Sequence, residues 1–224
     1  MGFSRFINIL LFILLLVIAY ILYYVFKAKQ SIVTQNYLGN GLIPVPMSQL
    51  TNFSSNTYFY EIWIYVNSVN KAGNLPSAAN TNPSGNIFYV TNSISLDVYK
   101  NTSLIVNINN KSSSYDTYII TDSLQLQRWQ QVIISVNNNL MDLYLNGKLV
   151  KSIQLQFINI PTKNANINFG KSDIYISKFN RLSYVMNTQN AWNRYIEGNA
   201  GLVPVHANVT LTANGSNTSK YDLF

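Results

Sequence analysis

The sequence predicts a mainly β protein: an antiparallel β-sandwich with one short C-terminal helix, preceded by a single N-terminal transmembrane helix. Three observations predict it. Residues 6–26 run for 21 positions without a charge. Residues 57–182 hold ten short stretches of strand character, separated by turn residues at the spacing of about 8–12 positions that marks an antiparallel sandwich. Only residues 188–197 in that half of the chain place apolar side chains at helical spacing.

A stub of residues 1–5 precedes the apolar run, FINILLFILLLVIAYILYYVF. At 1.5 Å per residue the run covers about 31 Å, the thickness of a hydrocarbon core. Phe6 and Phe26 bound it and Leu16 lies near its middle, while Tyr20, Tyr23 and Tyr24 gather where amphipathic rings favour the interface, before Lys27 and Lys29. A cleaved signal peptide would carry about 7–15 apolar residues and a small-x-small site. The longer run ending Tyr-Val-Phe-Lys reads instead as an uncleaved anchor, so a single-pass membrane location is expected. Arg5 before the run and two lysines after it leave its orientation balanced. Position 6 is Phe, so the N-terminal myristoylation pattern fails.

Residues 27–56, with Gly39, Gly41, Pro44 and Pro46, have no sustained period and read as a connector. The sandwich is assigned to residues 57–200. Its first strand, TYFYEIWIYVN at 57–67, puts Tyr58, Tyr60, Ile62, Ile64 and Val66 on one face and Phe59, Trp63 and Tyr65 on the other. A strand apolar on both faces is normally covered on both. Residues 69–85 form a polar insertion with Gly73, Pro76, Pro83 and Gly85, a long surface loop. Strands follow at 87–91, 94–99, 103–109, 117–121, 129–137, 140–146, 148–155, 166–169 and 174–182. Asn137-Asn138-Asn139 tolerates the left-handed backbone of a tight turn, and Asn146-Gly147 is a two-residue type I′ hairpin signal.

The helix, 188–197, stripes Ala191, Trp192, Tyr195 and Ile196, with Asn187 or Thr188 as N-cap and Gly198 as its stop. Residues 201–224 return to β character as an extra edge strand. Gly201-Leu-Val-Pro-Val echoes Gly41-Leu-Ile-Pro-Val, and both read as edge segments because proline is tolerated there.

Composition then narrows function. Of 224 residues only 10% are charged and 32 are asparagine, a polar but weakly charged chain. No cysteine is present, which removes thiol nucleophiles, disulfides and zinc-thiolate sites. The single histidine, His206, excludes a multi-histidine metal site. The net charge is +7, but Arg5, Lys27 and Lys29 flank the anchor, and the rest is too dilute for a nucleic-acid footprint.

Gln127-Arg-Trp-Gln-Gln-Val-Ile-Ile-Ser-Val136, an asparagine turn, then Met141-Asp-Leu-Tyr-Leu-Asn-Gly-Lys-Leu-Val150 resembles the central signature of laminin G-like, concanavalin A-like jelly rolls. Tyr60-Glu-Ile-Trp-Ile64 resembles that family's early aromatic strand. Asp173-Ile-Tyr-Ile-Ser-Lys-Phe179 resembles its closing strand, and Tyr195-Ile-Glu-Gly198 its terminal helix. The resemblance implies two stacked antiparallel sheets. Trp129 is expected to seat one sheet on the other, with Trp63 and Tyr144 also in packing roles and Trp192 and Tyr195 as a plug on the sandwich.

Such jelly rolls include glycoside hydrolases, whose retaining members need two carboxyl groups about 5–5.5 Å apart. Glu61, Asp97, Asp116, Asp122, Asp142, Asp173, Glu197 and Asp222 include no closely spaced pair, so no enzyme activity and no cofactor are expected. Asp116, Asp122 and Asp142, with the many Asn carbonyls, are the available calcium ligands, but no clustered loop gathers them, and they read as surface carboxylates. Asn52, Asn101, Asn110, Asn208, Asn214 and Asn217 begin N-glycosylation sequons, relevant if the domain faces a secretory lumen.

Two functions follow. The first is a membrane-tethered structural or interaction protein, bound to the lipid bilayer and to other capsid or membrane proteins of a large assembly. Asn-, Ile- and Tyr-rich sequence of this kind is similar to membrane-associated minor capsid proteins of large DNA viruses, which implies a virion inner membrane beneath the capsid shell. The alternative is a single-pass surface lectin that binds glycans through sandwich loops.

Overall fold

The computed structural model describes residues 2–28, 31–33, 37–38, 42–69, 85–99, 102–109, 115–170, 173–199, 208–213 and 216–222. Helix α1, Gly2–Ala28, covers the whole expected anchor. Its side chains are described at Asn8 and residues 10–22, and the large apolar ones there are between 48% and 67% exposed on every side of the helix. That stretch measures about 20 Å. Among the described residues no helix is long and apolar enough to cross a membrane.

Three short strands follow, β1 (Ser31–Val33), β2 (Tyr37–Leu38) and β3 (Val45–Pro46). The sandwich strands are β4 (Thr57–Val66), β5 (Asn86–Val90), β6 (Ile94–Val98), β7 (Leu104–Asn109), β8 (Tyr115–Thr121), β9 (Trp129–Asn137), β10 (Leu140–Leu145), β11 (Lys148–Gln154), β12 (Asn166–Phe169) and β13 (Ile174–Leu182). Helix α2, Thr188–Ile196, comes next, then β14 (Asn208–Ala213) and β15 (Ser216–Asp222). The expected antiparallel sandwich is present. One sheet runs β1-β13-β4-β9-β10-β11, with β2 also on β13; the other runs β3-β12-β5-β6-β7-β8.

Side-chain alternation builds the core. Tyr58, Tyr60, Ile62, Ile64 and Val66 of β4 point between the sheets and meet Phe88, Leu96, Val106, Ile134, Ile176 and Phe179. Phe59 and Trp63 point the other way and are also buried, as a strand apolar on both faces requires. Arg181 enters one end of this core. Its guanidinium lies 4.9 Å from the Tyr58 ring centroid and 5.9 Å from that of Tyr60, and its Nη2 donates to the Phe53 carbonyl. Burial pushes the Tyr58 and Tyr60 phenols above their ordinary value.

The hairpin turns form where the asparagines stand: Asn138 has φ 54°, and Asn146 and Gly147 have φ 50° and 74°, the left-handed pair of a type I′ turn. Asn187 caps α2 by accepting from the Asn190 N–H, and Gly198 follows at φ 73°.

Three expectations are corrected. The stretch read as a connector supplies β1, β2 and β3, each two or three residues long and held by pairing to β13 or β12. Pro46 does end on a sheet edge, in β3, while residues 201–205 of the echoing segment lie outside the described residues. The described part of the tail pairs within itself rather than with the sandwich. Its strands β14 and β15 pair with each other, because Asn214-Gly215 between them is a hairpin signal and brings residues 216–222 back first. Trp129 does not lie between the sheets; its odd-numbered position in β9 puts it on the outer face, opposite Tyr65. The insertion expected as a long loop falls at residues 70–84, outside those described.

Candidate functional site

The outer face of the larger sheet carries the densest chemistry. Along β4 it presents Phe59, Glu61, Trp63 and Tyr65 in sequence. The segment from Tyr184 through α2 covers the first three. Phe59 meets the Tyr184 ring edge-on at 5.0 Å, and Trp63 lies parallel to Tyr195 with an interplanar angle of 7°. Phe59, Ile133, Tyr144, Met186 and Ala191 form a second small apolar cluster beneath the helix. Tyr144 donates its hydroxyl to the Met186 carbonyl, and the Met186 N–H donates to Ser135 Oγ.

Glu61 is fully buried at the centre of this face. Its carboxylate accepts from Gln131 Nε2 at 2.9 Å, Asn180 Nδ2 at 2.9 Å and Arg194 Nη1 at 2.6 Å. Burial works against the Arg194 charge, yet the Glu61 carboxylate and the Tyr184 hydroxyl hold the guanidinium above its ordinary value. Arg194 also lies over the Phe59 ring at 5.1 Å. One charged bond, from Arg194 to Glu61 Oε2, therefore clamps α2 to the sheet, and the other oxygen, Oε1, accepts from Gln131.

Helix α2 accordingly splits the apolar stripe expected for it. Ala191 and Tyr195 face the sheet, whereas Trp192 is 40% and Ile196 65% exposed. With exposed Leu149 on neighbouring β11 they leave apolar surface at this edge.

Beyond the helix, Tyr65 is left uncovered. Tyr175, Tyr65 and Trp129 stand directly opposite one another on β13, β4 and β9. Their ring centroids are 6.1 Å and 5.6 Å apart. Exposed Leu126 and Arg128 flank Trp129 in the chain. Nearby, Asp173 accepts from Asn67 and Ser68, both at 2.9 Å.

A cleft of about 220 Å³ opens at one end of the smaller sheet, lined by Thr91, Asn92, Asn159, Pro161, Thr162 and Asn164 among others. Carboxamides and hydroxyls share its lining with Ile160, Pro161 and Ala165, and no charged residue contributes. On the outer face of that sheet lies Asp97, nearly fully buried, which accepts from Asn86 at 2.7 Å, Ser95 at 2.6 Å and Asn107 at 2.6 Å. Burial pushes its carboxyl above the ordinary value, against the lowering effect of those three bonds.

Of the anchor residues, Leu16 is exposed on α1, while Phe6, Tyr23, Tyr24 and Phe26 lie on the helix with side chains outside those described. Asn52 sits exposed in a turn at φ 52°. Asn208 and Asn217 stand on β14 and β15, with side chains outside those described, and Asn101, Asn110 and Asn214 fall outside the described residues. Asp116, Asp122 and Asp142 are not brought together; among the described residues no three acidic or histidine side chains converge. Sequence reasoning missed the hub, Glu61 with Gln131, Asn180 and Arg194. The signal was a lone carboxylate inside an otherwise apolar strand, which buries only with a partner.

The family model described as the concanavalin A-like lectin/glucanases superfamily matches residues 39–194. The crystal structure of the botulinum neurotoxin serotype D binding domain superposes with a TM-score of 0.51 at 17% identity, over 66% of this chain and 39% of that one. The receptor binding domain of the botulinum neurotoxin C/D mosaic serotype gives 0.48 at 16% identity, over 65% and 37%. The chain thus spans about two fifths of the length of these structures, and the likeness to the serotype D binding domain is one of fold. No curated protein matches it in sequence. With most of the sandwich inside the matched span, from β3 to the clamp at Arg194, the chain belongs to the concanavalin A-like lectin/glucanases superfamily.

Proposed function

We propose that this is a non-enzymatic, membrane-tethered interaction protein, in which α1 is the bilayer anchor and the sandwich docks on partner proteins of a larger assembly. One observation carries the reading. Over residues 10–22, α1 exposes large apolar side chains all round, and water disfavours such a cylinder strongly. The helical backbone extends from Gly2 to Ala28, about 40 Å at helical rise, more than a hydrocarbon core of about 30 Å needs.

The two most buried carboxylates support a non-catalytic role, because Glu61 and Asp97 are each tied to three donors. The serotype D toxin structure that shares the fold is a binding domain, in keeping with use of this sandwich as a recognition scaffold. Exposed Trp192, Ile196 and Leu149 are the apolar surface available to a protein partner. The Asn- and Tyr-rich composition points the assembly reading toward the membrane layer beneath a virion's capsid shell.

The test is sedimentation of the native protein after mild detergent extraction, with every co-migrating protein identified. Migration with a large particle of fixed composition is expected. Migration as a small detergent-bound species overturns the assembly reading. A second reading, a surface lectin, is favoured by the uncharged cleft around Asn92 and Asn159, where carboxamides and hydroxyls suit sugar hydroxyls. It predicts that the full chain in detergent binds a glycan array, and that Asn159→Leu abolishes the signal.

A further inference from the structure

We propose that Arg181, Tyr58 and Tyr60 form a binding site for a small inorganic anion, of the size of chloride, at one end of the sandwich core. Strand parity brings the three together. Arg181 of β13 stands directly opposite Tyr60 of β4, so both point between the sheets, and Tyr58 lies two residues along β4 on the same face. All three side chains are out of water: Tyr58 and Tyr60 are fully buried and Arg181 is 5% exposed.

A guanidinium keeps its charge at any pH at which a protein stays folded. A buried charge is ordinarily paired, because burying one alone is far more unfavourable than burying a neutral polar group. Arg181 has no such pair. Among the described residues no carboxylate meets it, and Glu61, on the opposite face of β4, is taken by Arg194. Its one hydrogen bond runs from Nη2 to the Phe53 carbonyl at 2.8 Å, a neutral acceptor. The Tyr58 and Tyr60 rings ease the charge from 4.9 Å and 5.9 Å without neutralising it. Arg181 Nε and Nη1 are buried with no partner, and so are the hydroxyls of both tyrosines.

These four atoms share one chemistry. The guanidinium nitrogens donate and cannot accept. Burial raises both phenols, and the neighbouring guanidinium lowers each only in part, so both hydroxyls keep their protons and can donate too. Donors gathered round a fixed positive charge select an acceptor that carries negative charge. Water would fill the hydrogen bonds and leave the charge uncompensated. Enclosure sets the size: at 5% exposure Arg181 is closed to a partner's carboxylate or a lipid phosphate, whereas a monatomic anion needs no open mouth. The turn at residues 51–54 closes this end. Arg181 holds it at the Phe53 carbonyl, and the Ser183 hydroxyl is shared between the carbonyls of Thr51 and Asn52, at 3.1 Å each.

Urea unfolding of the full chain in a non-ionic detergent tests the site, with sodium chloride exchanged for sodium gluconate at constant ionic strength. Gluconate carries the same charge and is too large for so enclosed a position. An anion that binds only the folded state raises the folding equilibrium constant about tenfold for each tenfold rise in its concentration above Kd. The wild-type midpoint should therefore climb with chloride, and bromide should substitute for it. Arg181→Met should abolish the climb. Tyr58→Phe keeps the ring and removes one hydroxyl; it should move the climb to higher chloride, and it carries the test if Arg181→Met does not fold. A midpoint that is the same in chloride and gluconate overturns the proposal and leaves the cluster to water. A climb that either variant leaves unchanged overturns it as well, by placing the chloride effect elsewhere on a chain of net charge +7.

Discussion

Replacing Arg194 with Met removes the charge from the clamp and keeps an apolar stem over Phe59. Glu61 is fully buried and Arg194 is 20% exposed at its side chain, so the carboxylate loses its one charged partner among the described residues while staying out of water. Breaking a buried pair from one side costs about 3–5 kcal/mol. The exposed part of Arg194 is screened by solvent, and Gln131 and Asn180 still donate to Glu61, which brings the expectation to about 3 kcal/mol. With a urea slope near 2 kcal/mol/M the unfolding midpoint falls by about 1.5 M. Urea titration of the full chain in micelles, followed by tryptophan emission, reads the loss. The sharper result concerns the sign in the second background. Glu61→Gln added to Arg194→Met removes the uncompensated charge, and Gln131 Oε1, which has no partner, can turn to accept from the new amide. The double variant is therefore expected to be more stable than Arg194→Met alone. If the two substitutions simply add to within about 0.5 kcal/mol, Glu61 and Arg194 are not coupled and the clamp is refuted.

Other expectations follow from the same contacts. Asn187→Ala removes the α2 cap and should cost about 1 kcal/mol, read by urea denaturation. Gly147→Ala must hold a Cβ at φ 74°, 2.8 Å from Tyr195 Cβ and 3.1 Å from Trp192 Cα; it should destabilise by roughly 1–3 kcal/mol and weaken the near-ultraviolet signal of the Trp63–Tyr195 stack. Asp97 has a folded pKa above its unfolded value, so the folded state binds its proton more tightly between the two. Stability from this site falls as pH rises from about 3.8 to the raised value and is level above it. Midpoints measured against pH should show that fall in the wild type and lack it in Asp97→Asn.

Much of the sandwich was legible because its strands follow local rules. The segment 129–137 is rich in β-branched residues and ends in an asparagine turn, and Asn146-Gly147 sets the next hairpin, so β9 and β10 lie where the sequence places them. Strands β1, β2 and β3 were not legible, since two or three residues carry no period and only their partners β13 and β12 make them strands. The outer face was half legible. Apolar residues on both sides of β4 required a cover, and the amphipathic helix was the available one. Which helix residues point inward was not legible, because Arg194 is drawn in by Glu61 from 133 positions away and leaves Trp192 and Ile196 outside. Trp129 looked like a wedge between sheets from its place in the family signature, whereas its parity in β9 sets it beside Tyr65.

The central claim is that α1 holds this sandwich on a bilayer, and liposome flotation of the full chain tests it most directly. The wild type should float with the lipid and resist alkaline carbonate, while Leu15→Arg with Leu16→Arg, each placing a charge near mid-helix at a cost of about 2.5–3.5 kcal/mol, should remain with the soluble fraction. A wild-type chain that stays at the bottom of the gradient, folded and free of lipid, would contradict the account.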